Sequence, residues 1–197
     1  MKVAVCAGEK SGDILGCDLI EDLKRNSDSI TIIGVGGSLM ESSGLDSFFP
    51  ISDISYMGLI DPILNLRKIL KRRKDLINFL KKEKPDVFIG IDSPSFNSRV
   101  CKVLRKETSI KTIQYVCPQF WAWRYDRVKK FNDLYHMVFS LFPFESDLLK
   151  KHKVNFTYVG HHLAQSSPKD VNIDAIKKNF NISNQKKVIA ILPGSRK

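Results

Sequence analysis

The sequence predicts an α/β protein built on a doubly wound, mostly parallel, Rossmann-like sheet with helices on both faces. Short apolar or β-branched runs alternate with longer amphipathic stretches along the chain. Most of these runs are apolar throughout, which is typical of parallel strands that are covered on both sides. Several runs end in glycine-containing turns that lead into the next helical pattern. Together these observations favour strand–helix–strand units with right-handed crossovers.

The pattern divides the chain into seven predicted strands and six predicted helices. The strands cover 2–7, 31–35, 87–91, 112–116, 137–140, 156–159 and 188–192. The helices lie near 13–24, 59–82, 96–106, 125–131, 145–151 and 175–180. Ligands of open α/β sheets bind along the carboxyl edge of the strands, so the turns after these strands are the candidate sites.

Composition narrows the class of protein. Of the 197 residues, 43% are apolar and 27% are charged, which suits a folded domain. No apolar run approaches the roughly 20 residues of a membrane span, and the N-terminus turns polar too early for a signal peptide, so we expect a cytoplasmic protein. The four cysteines lack the spacing of a metal or redox motif.

The formal net charge of +11 predicts attraction to an anionic partner. Nucleic acid, phospholipid headgroups and a phosphorylated substrate all fit, and a lysine-rich surface that only confers solubility is the alternative. Part of this charge lies on an amphipathic stretch, 59–84, where apolar residues recur at helical spacing. Such a helix can lie on an anionic membrane, or it can pack on the sheet with its charges in water. The apolar cluster 56–60 precedes it and could contact acyl chains.

Two glycine turns, at 8–13 and 34–37, follow the first two predicted strands. Their N–H groups could hold an anion, or the glycines could simply allow tight bends. The spacing matches neither the dinucleotide fingerprint nor the P-loop.

Asp92 is the strongest single candidate. It stands at the carboxyl end of an apolar strand, and Pro94 starts the next helix. A carboxylate there can take a proton from a hydroxyl as a general base, or it can cap the helix.

Aromatic and histidine residues follow two later strands. Trp121 and Trp123 share one loop with Arg124, which suits contact with a sugar, an acyl chain or a phosphate, or packing in a core. His161 could make a polar contact in a cleft, whereas His162 is expected at the surface. No cluster of spaced ligands predicts a metal site.

Eight segments in one order resemble the lipid-A-disaccharide synthase family. They are AGEKSGDILG (7–16), GVGG with Met40 and Gly44 (34–44), YMGL (56–59), KPDVFIGIDSPSFN (84–97), YVCPQFWAWR with Arg127 (115–127), FPFE (142–145), YVGHHL (158–163) and LPGSRK (192–197). The chain departs from the family pattern at Lys10, Ser95 and Gln165.

The resemblance implies an inverting glycosyltransferase of the two-domain GT-B architecture. It implies transfer of 2,3-diacylglucosamine from its UDP derivative to 2,3-diacylglucosamine 1-phosphate, at the cytoplasmic face of the inner membrane, without a metal or other cofactor. An anionic membrane surface is then the expected partner and nucleic acid is not. A homodimer is left open.

The resemblance also assigns roles to individual residues. Asp92 matches the essential acid and would be the general base, and Arg196 matches an essential arginine that would stabilise the departing diphosphate. The acceptor cleft is expected to include eight further residues: Glu9, Ser11, Asp13, Met57, Asn97, Trp123, Arg124 and His161.

The same comparison divides the chain at residue 186. Residues 1–186 would form the acceptor-side domain, and 187–197 would supply the first strand and loop of a second, UDP-sugar-binding domain. The chain would therefore be an incomplete form of the enzyme. A fragment that binds acceptor or membrane but transfers nothing is the main alternative.

Overall fold

The computed structural model describes residues 1–27, 29–56, 60–123, 125–166, 171–183 and 185–192. The strands are β1 (Lys2–Ala7), β2 (Thr31–Val35), β3 (Asp46–Ser47), β4 (Val87–Ile91), β5 (Lys111–Tyr115), β6 (Met137–Ser140) and β7 (Phe156–Tyr158). The helices are α1 (Lys10–Asn26), α2 (Ser38–Ser42), α3 (Ile60–Leu64), α4 (Leu66–Glu83), α5 (Pro94–Glu107), α6 (Phe120–Trp123), α7 (Phe131–Leu134), α8 (Pro143–Lys151), α9 (His162–Ser166) and α10 (Ile173–Asn179). Two 3₁₀ turns lie at Ile51–Asp53 and Tyr125–Lys130.

The strands form one sheet in the order β3-β2-β1-β4-β5-β6-β7. Every neighbouring pair is parallel. The order runs in opposite directions on the two sides of β1 and β4, which makes that pair the topological switch point of the sheet. In the pairing of these strands Ala7 lies opposite Ile91, so both end at the same level. The predicted doubly wound fold class is confirmed.

Two apolar cores cover the two faces of the sheet. Along β1, Val3, Val5 and Ala7 pack with residues of α1 and α2. The alternate residues of the same strand, Ala4 and Cys6, belong to a second core with residues of α4 and α5. Because successive side chains of a strand point to opposite faces, one fully apolar strand supplies both cores.

Several sequence-based elements differ from the structure. The helix predicted at 125–131 is a 3₁₀ turn, Tyr125–Lys130, followed by the short helix α7. The short helices α2, α6 and α9 were not predicted. The short strand β3 was not predicted, because two residues leave no readable pattern. The helix predicted at 59–82 is two helices, which meet at Asn65. The strand predicted at 188–192 is not observed, since residues 187–192 have no regular secondary structure. An apolar run forms a strand only where a neighbouring strand can pair with it.

The contacts divide the chain into two units, 1–162 and 163–197. The first unit contains the whole sheet. Within the second, Asn172 caps α10, since its side chain accepts a hydrogen bond from the Ala175 amide at 3.0 Å. Among the described residues, no helix combines the length and the apolar character needed to cross a membrane.

Candidate functional site

The switch point brings two turns together at the carboxyl edge of the sheet. Gly8 follows β1, and Asp92 and Ser93 follow β4. A Cβ atom on Gly8 would lie 2.1 Å from the Ser93 hydroxyl, so the first turn passes the second only because residue 8 is glycine. The structure therefore places Asp92 where open α/β sheets bind their ligands.

The backbone at Asp92 is held in an unusual conformation. Asp92 and Ser93 have φ angles of 50° and 40°, which cost of order 1–3 kcal/mol each for residues other than glycine. The Asp92 amide donates to the Tyr115 carbonyl at 2.9 Å. The side-chain amides of Asn97 and Gln114 donate to the Asp92 carbonyl at 3.0 and 3.1 Å. Three hydrogen bonds thus fix this turn through backbone atoms.

The Asp92 carboxylate takes no part in this support. Asp92 is half-buried, and its carboxylate has no hydrogen bond or ion pair within the described residues. It does not cap α5, because the N-cap residue is Ser93. Of the two interpretations left open by the sequence, the structure therefore excludes the helix cap and leaves the carboxylate available to a ligand.

Asn97 supports the turn at Asp92 through hydrogen bonds to backbone carbonyls. It is fully buried, and its side-chain amide donates to the carbonyls of Cys6, Ile91 and Asp92 at 3.2, 3.4 and 3.0 Å. A Cβ atom on Gly90 would lie 2.7 Å from the Cβ of Asn97, so this packing also needs a glycine. Asn97 was predicted to bind acceptor, but its contacts make it a residue that positions Asp92.

Asp13 is also engaged by the protein itself. Its carboxylate accepts hydrogen bonds from the amides of Gly37, Leu39 and Met40 at 2.8, 3.2 and 3.2 Å. A Cβ atom on Gly37 would lie 2.4 Å from Asp13 Oδ2. The last glycine of the 34–37 turn therefore makes room for Asp13, which joins α1 to the start of α2. This carboxylate therefore has a structural role, and the place of Asp13 in the acceptor cleft stays a prediction.

A cavity of about 260 Å³ opens beside the Asp92 turn. Its lining combines the two turns of the switch point with α4 and α5. The lining residues are Gly8, Glu9, Ile54, Tyr56, Pro62, Leu66, Ile69, Leu70, Arg73, Ser93, Ser95, Phe96 and Arg99. Glu9 lines this cavity, whereas Ser11 is exposed on the first turn of α1 and is not among the lining residues.

The basic helix is anchored by a single buried carboxylate. Asp53 accepts from Lys68 Nζ at 2.6 Å and from Arg72 Nε at 2.7 Å. The hydrogen bond from Lys68, with those from Arg72, holds the pKa of Asp53 below its usual value. Arg72 also lies over the ring of Phe49, with 5.0 Å between its guanidinium carbon and the ring centroid. Lys68 and Arg72 of α4 therefore have a structural role.

The remaining predicted site residues are not among the described residues that line the cavity. The rings of His161 and His162 stack with 4.6 Å between centroids, and His161 lies 5.9 Å from the ring of Phe142. Met57, Arg124 and Arg196 lie outside the described residues, as does the side chain of Trp123. Sequence reasoning missed Gln114, although a polar residue within an apolar strand was a readable signal.

The amino-acid sequence matches known proteins over its whole length. The model of the lipid-A-disaccharide synthetase family matches residues 3–197. The lipid-A-disaccharide synthase of Idiomarina loihiensis is 43% identical over 196 residues, which are 100% of this chain and 52% of that protein. The one from Pseudomonas fluorescens Pf0-1 has the same identity and coverage. The chain thus spans about half the length of these curated relatives.

Among solved structures, a glycosyltransferase from Rickettsia africae overlaps 93% of this chain and 50% of that chain, with a TM-score of 0.49 and 14% identity. The fold and the position of Asp92 define the class as an α/β protein whose parallel sheet has a candidate ligand site at its carboxyl edge. The sequence match is more specific, and it confirms the resemblance: the chain belongs to the lipid-A-disaccharide synthetase family.

Proposed function

We propose that this chain is the acceptor-binding half of a lipid-A-disaccharide synthase. In the proposed reaction, 2,3-diacylglucosamine passes from its UDP derivative to the 6-hydroxyl of 2,3-diacylglucosamine 1-phosphate. The products are the β-1,6-linked disaccharide 1-phosphate and UDP. The observation that carries this proposal is the unengaged carboxylate of Asp92 at the switch point of a chain that belongs to this family.

Asp92 is the proposed general base. Its carboxylate would accept the proton of the acceptor 6-hydroxyl while that oxygen attacks the anomeric carbon of the donor. A new carbon–oxygen bond forms as the bond to the diphosphate breaks, which inverts the configuration. General-base assistance of this kind contributes about 10²–10⁴-fold to a rate. The three hydrogen bonds to the backbone of Asp92 support this role, because they hold in place the backbone that carries the carboxylate before substrate arrives.

The donor side of the reaction belongs to residues beyond the first unit. We assign residues 187–197 to the start of a UDP-sugar-binding domain, as in a GT-B enzyme, and Arg196 to the departing diphosphate. A guanidinium can donate two parallel hydrogen bonds to phosphate oxygens. On the acceptor side, Glu9 is supported by its place at the cavity. Ser11, Met57, Trp123, Arg124 and His161 remain predictions that rest on motif position.

A membrane-facing surface is the second part of the proposal. Ile63 and Leu64 of α3 are 72% and 76% exposed. Leu66 and Leu70, on the first turns of α4, are 50% and 40% exposed. Leu66 and Leu70 also line the cavity, so this apolar surface continues towards the Asp92 turn. A substrate with acyl chains could enter from a bilayer along it, which supports peripheral attachment to a membrane. The cytoplasmic face of the inner membrane is proposed from the family resemblance.

Cations beside this surface lead to a testable prediction. Since Lys68 and Arg72 hold Asp53, the residues to change are the exposed Arg67, Lys71 and Lys74. Replacing all three with glutamate should weaken binding to vesicles containing phosphatidylglycerol on the order of 100-fold, since each cation near an anionic surface contributes about 1 kcal/mol. Vesicle sedimentation at low salt measures the effect.

The matched control carries the same change of charge elsewhere. Lys102, Lys106 and Lys130 form a second exposed basic group, and their replacement with glutamate should reduce binding far less. Equal losses in both triple variants would mean that net charge alone drives association, and α4 would then have no special place at the membrane.

Binding without transfer is the second candidate function, because the chain spans only about half the length of its curated relatives. The two candidates are separated by assaying disaccharide formation with the chain alone and with a chimera. In the chimera, this chain replaces the matching half of the Pseudomonas fluorescens relative. We expect product from the chimera and none from the chain alone. A chimera that melts cooperatively but forms no product would contradict the proposed function, whereas turnover by the chain alone would remove the second candidate.

A further inference from the structure

Two arginines from different helices line the cavity beside Asp92. Arg73 comes from α4 and is half-buried, and Arg99 comes from α5 and is exposed. Both helices contribute to the same apolar core, so the fold brings together two cations that are 26 positions apart in sequence. A pair of guanidinium groups in one cavity is a common way to hold an anion with two negative charges.

Neither arginine has an acidic partner within the described residues. Other cations of α4 do have one: Lys68 and Arg72 bind Asp53, and Lys81 binds Glu107. For Arg73, burial together with the charge of Arg99 lowers the pKa of the guanidinium. Burial makes the larger contribution and the like charge of Arg99 adds to it, and no carboxylate is paired with Arg73 within the described residues. The fold therefore keeps two positive charges close together, at an energetic cost, where they face a cavity.

The rest of the cavity suits a sugar phosphate with acyl chains. Ser93, Ser95 and Tyr56 supply hydroxyl groups that can bind sugar oxygens. Ile54, Leu66 and Leu70 supply an apolar side. Glu9 is the one carboxylate among the lining residues, and no ion pair joins it to either arginine within the described part of the chain. Cations, hydroxyls and apolar side chains thus meet within about 260 Å³.

We propose that Arg73 and Arg99 together bind the phosphate of the acceptor, a phosphomonoester on the sugar that Asp92 activates. The inference rests on the proposed function and names the part of the acceptor that this cavity recognises. Ser93 lines the cavity and directly follows Asp92, so a phosphate held by the two arginines fixes the sugar next to the general base. Such anchoring restricts which hydroxyl of the sugar can approach the carboxylate.

The test measures phosphate recognition by the 197-residue chain itself. The probes are glucosamine 1-phosphate, glucosamine and inorganic phosphate, titrated by calorimetry at low salt. We expect glucosamine 1-phosphate to bind more tightly than either other probe. Arg73→Gln and Arg99→Gln should each lower its affinity by about tenfold, which corresponds to about 1.4 kcal/mol. Lys102→Gln, one turn from Arg99 on α5, is the matched control and should leave the affinity unchanged.

A second measurement separates the acceptor phosphate from the phosphate of a lipid headgroup. Arg73→Gln/Arg99→Gln should bind phosphatidylglycerol vesicles as Lys102→Gln does, while its affinity for glucosamine 1-phosphate falls. The inference is overturned if the double variant keeps that affinity, whether or not it loses vesicle binding. Equal affinity of the wild-type chain for glucosamine 1-phosphate and inorganic phosphate would also overturn it, since the sugar would then add nothing.

Assays of the chimera distinguish failure of the proposed arginine site from failure of the proposed function. In the chimera, the same two substitutions should raise the KM for diacylglucosamine 1-phosphate with a smaller change in kcat. If the chimera transfers sugar and its KM does not change, the arginine site is wrong and the proposed function stands. If the chimera forms no product, the proposed function fails, and the titrations of the chain alone still decide whether the two arginines bind a phosphomonoester.

Discussion

Replacing Asp92 with asparagine is expected to lower the rate of disaccharide formation in the chimera by about 10²–10⁴-fold. Asparagine has nearly the same shape as aspartate but cannot accept a proton at neutral pH. It is also one of the few residues that adopt the left-handed conformation readily, and φ at this position is 50°. Because each hydrogen bond of Asp92 among the described residues uses its backbone, the fold should be unaffected.

The measurement is a time course of product formation beside a thermal melt of the same preparation. We expect the melting temperature of Asp92→Asn to match that of the parent. Asp46→Asn is a suitable control, since Asp46 is exposed and lies in the edge strand β3. Near-normal transfer by Asp92→Asn would remove Asp92 as the base. A large drop in melting temperature would instead show that the carboxylate stabilises the turn.

The position of Asp92 could be read from the sequence because it depends on local signals. An apolar run, a glycine, a carboxylate and a proline occur in order from Val87 to Pro94, and each restricts the backbone within a few residues. The strand β4 begins and ends where the pattern predicted. The parallel, doubly wound class followed from apolar strands that alternate with helices, because such strands are covered on both faces.

Contacts between segments that are far apart in the sequence could not be predicted from local patterns. The family resemblance assigned Asp13 to the acceptor cleft, whereas the amides that donate to its carboxylate belong to the start of α2 and to Gly37 before it. The sequence does not distinguish between the cations of α4. In the structure, Lys68 and Arg72 form ion pairs with Asp53, whereas Arg73 lines a cavity. One face of a helix is predictable from periodicity. Which charged residues of the helix form ion pairs depends on the tertiary packing.

The largest expected effect on stability comes from Asp13→Ala. The carboxylate is buried and binds three amides that begin α2, at the end of the helix where negative charge is favourable. Alanine would leave these amides without their acceptor, and hydrogen bonds to charged groups contribute about 1.5–3 kcal/mol each. Since water can reach part of the exposed turn, we expect a loss of about 3 kcal/mol in the free energy of unfolding. For a chain of this size that corresponds to a drop of about 6–12 °C in melting temperature.

Two further variants distinguish a structural role of Asp13 from contact with the acceptor. Asp13→Asn retains an oxygen that can accept from Gly37 and Met40, the two amides bound by Oδ1, so its melting temperature should fall between those of alanine and the parent. Asp18→Ala, on the same helix, should change it little. In the chimera at a temperature where all variants are folded, Asp13→Ala should leave the acceptor KM unchanged. A raised KM without loss of stability would show that Asp13 contacts the acceptor. A residue that only caps α2 should affect acceptor binding only through the stability of the fold.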